Sequence, residues 1–154
     1  MNKHAEIIAI AQKRAAEKNL PYAGALTPQE AFEVLQADSK ALLIDVRTKP
    51  ELDLVGRVPG AINVEWAFYP GMVANENFAA QLEAELNHHK VNEDSVLIFL
   101  CRTGGRSNNA AIVAASLGYT QAYNTLEGFE GEANADKQRT MINGWKRAGL
   151  PWTN

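Results

Sequence analysis

The strongest constraint on the fold is a run of five apolar residues that leads straight into a glycine-rich loop and then into a helical pattern. The run covers residues 96–100 and is typical of a strand buried on both faces of a sheet. The loop begins at Cys101, the only cysteine of the chain, and reads Cys-Arg-Thr-Gly-Gly-Arg-Ser. Residues 108–117 are predicted to form the helix that follows, closed by Gly118. In parallel α/β sheets, ligands bind beyond the carboxyl ends of strands, which is where this order of elements places Cys101.

The rest of the chain alternates between helical and extended patterns. A helix is predicted to begin at the capping box formed by residues 27–30. The other predicted helices cover residues 3–18, 77–87 and 136–148. The other predicted strands cover residues 41–44, 61–64 and 121–124. This alternation predicts an α/β fold with a parallel sheet and helices on both faces.

The length of 154 residues suits one domain with a proper core. We divide the chain into an N-terminal helical extension, residues 1–24, and a domain, residues 25–154. The extension is expected to pack on the domain, with a dimerisation helix as the alternative. The oligomeric state is left open.

Charge and hydropathy favour no nucleic acid or membrane partner. The formal net charge is −3, and no apolar stretch approaches the length of a membrane span. Charged residues interrupt the first fourteen positions too early for a signal peptide. A single cysteine excludes an intrachain disulfide and suits a reducing compartment, so we expect a cytoplasmic protein.

The surroundings of Cys101 favour a reactive thiolate over the alternative of a small buried apolar residue. Two adjacent glycines let the backbone N–H groups point inward, and the helix N-terminus and two arginines add positive charge. The residues predicted to bind an anionic substrate are Arg102, Thr103, Gly104, Gly105, Arg106 and Ser107.

Mainly structural roles are expected for Ser107, Asp45 and Arg47 and for two tryptophans near the C-terminus. Ser107 is predicted to be the N-cap of the helix first and a site residue second. Asp45 and Arg47 follow the strand at residues 41–44 and are expected to support the site rather than to take part in chemistry. Arg47 is expected to pair with Glu51. Trp145 and Trp152 are expected to anchor the core.

Three stretches of the chain resemble the rhodanese domain of single-domain sulfurtransferases. They are residues 43–64, with Leu-Ile-Asp-Val-Arg and Gly-Arg-Val-Pro-Gly-Ala-Ile-Asn-Val, the loop at residues 101–107, and residues 144–151, Gly-Trp-Lys-Arg-Ala-Gly-Leu-Pro. The resemblance covers about residues 25–152. It implies a five-stranded parallel sheet flanked by helices on both faces, with the N-terminal helix as an addition.

The resemblance also implies a reaction. Cys101 would take a sulfane sulfur from a small anionic donor such as thiosulfate, hold it as a persulfide, and pass it to a thiol or a protein acceptor. The loop N–H groups and the arginines would stabilise the anions. No cofactor and no metal are expected. Because there is no second cysteine, the persulfide must be resolved by another molecule.

Two departures from the family pattern and three alternatives stay open. Arg57 stands where the family usually has histidine, and residues 130–143 form a polar insertion that is either a surface excursion or a lid. One alternative function is a non-catalytic rhodanese-like interaction module, although such modules typically lose the cysteine. A phosphatase or arsenate reductase is disfavoured by the four-residue spacing between Cys101 and Arg106. A carrier fed with persulfide by a protein donor needs the same loop.

Overall fold

The computed structural model describes residues 3–154, in which the chain forms five α-helices, a five-stranded sheet and a two-stranded hairpin. The helices are α1 (Lys3–Lys18), α2 (Pro28–Ala37), α3 (Lys49–Val55), α4 (Phe78–His88) and α5 (Gly105–Ser116). The strands of the large sheet are β1 (Gly24–Leu26), β2 (Leu42–Asp45), β3 (Ile62–Asn63), β6 (Leu97–Leu100) and β7 (Ala122–Thr125). The hairpin consists of β4 (Ala67–Phe68) and β5 (Val73–Ala74).

All pairs of the large sheet are parallel, in the order β1-β7-β6-β2-β3. Asp45 pairs with Leu100, and Phe99 with Asn124, so β2, β6 and β7 end at nearly the same level. The polar segments that follow these three strands therefore meet at one edge of the sheet. The predicted α/β fold with a five-stranded parallel sheet is confirmed.

Successive residues of the central strands face two separate cores. Ile44 and Phe99 pack with the buried side chains of α4 and α5. Leu43 and Ile98 pack on the opposite face with those of α1 and α2. The alternation follows from the two-residue period of a strand, and it confirms that helices cover both faces of the sheet.

Helix α1 packs on the sheet through small and aliphatic side chains. Ile7, Ala11 and Ala15 are buried, and the helix lies so close to β1 that a Cβ on Gly24 would come within 2.6 Å of the Ala11 backbone. Arg14 ties α1 to the capping box of α2, because its guanidinium binds both carboxylate oxygens of Glu30. The helix is therefore an integral layer of the described structure.

The sequence patterns missed helix α3, strand β1 and the β4–β5 hairpin. The hairpin strands have two residues each and β1 has three, too few to show an alternation. The remaining strands, and the helices that were predicted up to residue 117, lie within a few residues of their predicted bounds.

The helix predicted over residues 136–148 is wrong. This segment forms turns instead, and Asn134 accepts hydrogen bonds from the backbone N–H groups of Asp136 and Gln138. Trp145 is fully buried and donates from Nε1 to the carbonyl of Pro151, as expected of a core anchor. Trp152 is 39% exposed, so the same expectation is wrong for that residue.

Among the helices between residues 3 and 154, none is both long enough and apolar enough to cross a bilayer.

Candidate active site

Cys101 lies at the carboxyl end of β6 with only 1% of its surface exposed. Its Sγ accepts a hydrogen bond from the backbone N–H of Gly104 at 3.1 Å and from the hydroxyl of Ser107 at 3.2 Å. The backbone of Gly104 has a φ of +110°, a conformation that residues with a Cβ rarely adopt. The glycine therefore allows residues 101–107, the Cys101 loop, to fold around the sulfur.

Further N–H groups of the Cys101 loop have no acceptor among residues 3–154. These are the backbone groups of Thr103, Gly105, Arg106 and Ser107. Three of them begin α5, a twelve-residue helix, and the first N–H groups of a helix have no acceptor within it. Their partial positive charge and the helix dipole favour an anion beside Cys101.

Ser107 is not the N-cap of α5, because the helix begins two residues earlier and Gly104 occupies the N-cap position. The Ser107 side chain is fully buried in the first turn, and its hydroxyl lies 2.6 Å from Oδ1 of Asn124 as well as near Cys101 Sγ. Asn124 in turn donates from Nδ2 to the carbonyl of Gly104 at 3.2 Å. Sequence reasoning missed Asn124; the available signal was a polar residue at the carboxyl end of the strand predicted over residues 121–124.

The guanidinium of Arg106 forms a bidentate ion pair with a carboxylate. Its two terminal nitrogens lie 2.7 and 2.8 Å from the two carboxylate oxygens of Glu51, near the start of α3. Burial by itself raises the pKa of Glu51, but the hydrogen bonds from Arg106 and Thr48 and the charge of Arg106 outweigh it and lower that pKa to about 2. The pKa of Arg106 is raised: burial lowers it, but Glu51 and the nearby Cys101 and Asp45 more than compensate.

Arg102 differs from Arg106 in being exposed and free of carboxylates. Within the described residues it forms no ion pair. Of the two arginines predicted to bind an anion, Arg102 therefore keeps its charge uncompensated at the Cys101 loop. The charge of Arg106 is already balanced by Glu51.

Asp45 and Arg47 form a buried ion pair with each other, 2.7 Å apart and at most 2% exposed. The expected pairing of Arg47 with Glu51 is wrong, since Arg106 occupies that carboxylate. Arg47 also donates to the carbonyl of Gly56 at 3.0 Å, and its guanidinium lies 4.1 Å from the centre of the Phe129 ring. Neither residue hydrogen-bonds to the Cys101 loop, so the pair ties β2 to its neighbours.

The segment after β7 fixes the start of the Cys101 loop from behind. Phe129 N–H donates to the carbonyl of Cys101 at 2.8 Å, and Glu130 N–H donates to that of Arg102 at 3.0 Å. Gly128 has a φ of +71°, and a Cβ there would lie 2.5 Å from the Arg102 carbonyl. Only glycine permits this close approach of two backbones.

Of the two departures noted in the sequence, Arg57 lies outside these contacts, and the insertion reaches the Cys101 loop through its first residue, Glu130. Arg57 pairs with Asp53 of α3, and its backbone forms a bridge with Thr153. The insertion closes on itself, because Glu132 N–H donates to the Asn143 side chain and Thr140 N–H to the carbonyl of Glu130. Among residues 3–154, no group of three or more His, Cys, Asp or Glu side chains is arranged to hold a metal ion.

A family model, described as rhodanese-like domain, matches residues 27–135, which is more than two thirds of the chain. The chain belongs to the rhodanese-like domain family. Residues 27–135 include β2, the Cys101 loop and β7, so the rhodanese-like match contains the whole candidate site.

Known proteins agree with this assignment. An uncharacterized protein of Rickettsia prowazekii is 37% identical over 123 residues, 80% of this chain and 91% of that protein. Human thiosulfate:glutathione sulfurtransferase is 37% identical over 90 residues, 58% of this chain and 76% of that enzyme. The crystal structure of Rv0390 from M. tuberculosis superposes with a TM-score of 0.76 at 40% identity, covering 86% of this chain and 98% of that one. This rhodanese-like chain thus has sulfurtransferases among its relatives.

Proposed function

We propose that this protein is a sulfurtransferase that moves a sulfane sulfur from thiosulfate, or from a persulfide donor, to a thiol through a persulfide on Cys101. The observation that carries the proposal is the position of Cys101 Sγ, which accepts hydrogen bonds from Gly104 and Ser107 beside the unpaired N–H groups of the loop. A buried sulfur surrounded by donors is prepared to carry negative charge. A small buried apolar cysteine needs none of these donors.

The first half-reaction consumes the thiolate of Cys101. Its sulfur attacks the sulfane sulfur of thiosulfate, a new S–S bond forms, and the S–S bond of thiosulfate breaks with its electron pair leaving on sulfite. Charge is conserved, since a thiolate and a dianion give a persulfide anion and a dianion. The loop N–H groups stabilise the terminal persulfide sulfur, and Arg102 attracts the incoming and outgoing dianions.

The second half-reaction returns the enzyme to its starting state. An acceptor thiolate attacks the terminal sulfur of the persulfide, a new S–S bond forms on the acceptor, and the Cys101 thiolate leaves. Cys101 is the only cysteine, so a resolving thiol must come from another molecule. A human relative is named for glutathione, and by analogy we propose a low-molecular-weight thiol as one acceptor.

We assign the residues of the site as follows. Cys101 is the catalytic nucleophile, while Thr103, Gly104, Gly105 and Ser107 supply backbone or hydroxyl donors. Arg102 binds the donor anion, and Arg106 holds the start of α5 to α3 through Glu51. Asp45 and Arg47 support the sheet edge. The geometry disfavours a phosphatase, because the arginine that would hold a phosphoryl group is bound to Glu51 at 2.7 Å.

Intact mass of the purified, reduced full chain, measured before and after thiosulfate, tests the proposal. We expect a gain of one sulfur atom that is reversed by cyanide or a thiol and absent from Cys101→Ser. If the mass increases with a persulfide donor but not with thiosulfate, the persulfide is the sulfur donor and thiosulfate is not. No gain from either donor would reject the sulfurtransferase and favour a binding module.

The same proposal includes a location and a domain division. We place the protein in the cytoplasm, since the persulfide on a lone cysteine needs a supply of reduced thiol. We divide the chain into a helical extension, residues 1–24, and the rhodanese-like domain, residues 25–154.

A further inference from the structure

One hydroxyl proton faces two acceptors behind the Cys101 sulfur. Ser107 Oγ lies 3.2 Å from Cys101 Sγ and 2.6 Å from Asn124 Oδ1. A serine hydroxyl has a single proton, so it donates to only one of the two at a time. The three side chains are at most 5% exposed, and for that reason bulk water does not supply the missing hydrogen bond.

The charge on the sulfur determines which acceptor the hydroxyl serves. A neutral thiol is a weak acceptor and has a proton of its own, which it donates to Ser107 Oγ while Ser107 donates to Asn124. A thiolate or a persulfide anion is a stronger acceptor and attracts the hydroxyl proton to the sulfur. The hydroxyl turns between the two arrangements without transferring its proton.

Asn124 is held where it competes for this proton. It lies on β7, and its amide Nδ2 donates to the carbonyl of Gly104, which fixes Oδ1 toward Ser107. A neutral amide oxygen is a weaker acceptor than a carboxylate, so it releases the hydroxyl when the sulfur becomes charged. An aspartate at position 124 would keep the hydrogen bond from the Ser107 hydroxyl even when the sulfur is charged.

We propose that Asn124 is a positioning residue for sulfur transfer: it holds the Ser107 hydroxyl while Cys101 is a thiol and releases it to the sulfur in the thiolate and persulfide states. Its role in catalysis rests on the proposed function. The exchange of the hydrogen bond depends only on ionisation of Cys101, and it can be measured without any sulfur donor.

Several charged or titratable groups face the site from other elements. They are Arg102 in the loop, Arg106 on α5 with Glu51 on α3, the Asp45–Arg47 pair at the end of β2, and Tyr22 before β1, which hydrogen-bonds to Asn108 and also contacts the Asn124 side chain. Every one of them is retained in the variants below. Because the Asn124 variants also change the surroundings of Tyr22, each variant is compared with the same variant carrying Cys101→Ser, and the remaining difference reports on the Cys101 thiolate.

The test follows the ultraviolet absorbance of the thiolate against pH in the full chain, with Cys101→Ser as the blank. Asn124→Asp should raise the midpoint of this titration by about one pH unit, because the carboxylate keeps the Ser107 proton and adds negative charge near the sulfur. Asn124→Ala should lower the midpoint, because the hydroxyl then has the sulfur as its remaining acceptor. The pH profile of thiosulfate uptake should shift in the same directions.

Two controls separate this role from a structural one. Asn109→Asp adds the same charge at an exposed position and should shift the midpoint by less than about a third as much. In a Ser107→Ala background, the Asn124→Asp shift should fall by at least half. Shifts of the same sign for Asn124→Asp and Asn124→Ala, or an undiminished shift without Ser107, would overturn the inference. If the variants show the predicted titration midpoints but the protein takes up no sulfur, the proposed function is wrong and the inference about Asn124 is not.

Discussion

At the scale of single residues, the two arginines of the Cys101 loop have different roles although the sequence presents them alike. Arg106 binds Glu51 through both terminal nitrogens and is mostly buried, whereas Arg102 is exposed and forms no ion pair within residues 3–154. A charge that is already compensated contributes little to attracting a dianion. Arg102 is therefore the arginine to test for binding of the donor.

Arg102→Ala should raise the KM for thiosulfate about tenfold and change kcat much less, because a single charge-assisted contact at the loop is lost in ground state and transition state alike. Steady-state kinetics with cyanide as the acceptor measure both constants. Arg147→Ala removes an exposed arginine outside the loop and serves as the matched control. An unchanged KM in Arg102→Ala would remove Arg102 from the donor site.

Glu51→Gln should lower the free energy of unfolding at neutral pH by about 3 kcal/mol, because it leaves the mostly buried Arg106 without its charged partner. Urea unfolding monitored by circular dichroism provides the measurement. Glu76→Gln replaces an exposed carboxylate that forms no ion pair within the described residues, and it should change stability by less than about 0.5 kcal/mol. Equal losses of unfolding free energy in the two variants would mean that the Arg106–Glu51 pair stabilises the fold no more than an exposed carboxylate does.

At the scale of elements, the Cys101 loop depends on the segment that follows β7. Two hydrogen bonds join Phe129 and Glu130 to the carbonyls of Cys101 and Arg102, and Gly128 lies against the same backbone. The loop is thus held by strand β6 at one end, helix α5 at the other, and residues 128–130 behind it. Such support is what a preorganised anion site needs.

Gly128→Ala should cost more than about 2 kcal/mol of stability and abolish most sulfur uptake, because its Cβ would lie 2.5 Å from the Arg102 carbonyl and push the loop forward. Unfolding curves and the mass assay measure the two effects. Gly60→Ala is the control: its φ is also positive, at +83°, but nothing lies within 4 Å of the new Cβ. That variant should lose about 1 kcal/mol and keep its uptake. Retained uptake in Gly128→Ala would contradict this account of the loop.

At the scale of the whole molecule, two ion pairs between elements make stability depend on pH. Glu51 joins α3 to α5 through Arg106, and Glu30 joins α2 to α1 through Arg14. Burial raises the pKa of Glu30, but the hydrogen bonds from Arg14 and Thr27 and the charge of Arg14 outweigh it, so that pKa is lowered, as it is for Glu51. A carboxyl whose pKa is lower in the folded state stabilises the fold above its unfolded pKa and loses that contribution as pH falls.

The free energy of unfolding should therefore decline as the pH is lowered from about 6 toward 2, with Glu51 alone accounting for a loss of about 2 kcal/mol between about pH 6 and pH 3. Urea unfolding at a series of pH values measures the decline. In Glu51→Gln the decline should be smaller by that amount, since the titrating group is gone. If the free energy of unfolding falls by the same amount with pH in the wild type and in Glu51→Gln, Glu51 is not the group that titrates.

The sequence by itself determined the fold class and the place of the reactive cysteine. Both follow from local order: the apolar run at residues 96–100 is typical of a buried strand, and two glycines followed by a helical pattern place a loop and a helix N-terminus directly after Cys101. The capping box at residues 27–30 is equally local, and the structure contains it as predicted. Patterns of this kind need only neighbouring residues.

Only the tertiary structure decided which side chains meet. Glu51 lies 55 positions from Arg106 and takes it as a partner, although Arg47 is much closer in sequence. Asn124 reaches Ser107 of α5 from strand β7, and residues 136–148 form turns that end at Trp145, which is buried in a core built by distant segments. Such choices depend on the burial and geometry of elements far apart in the chain, and no spacing within the sequence encodes them.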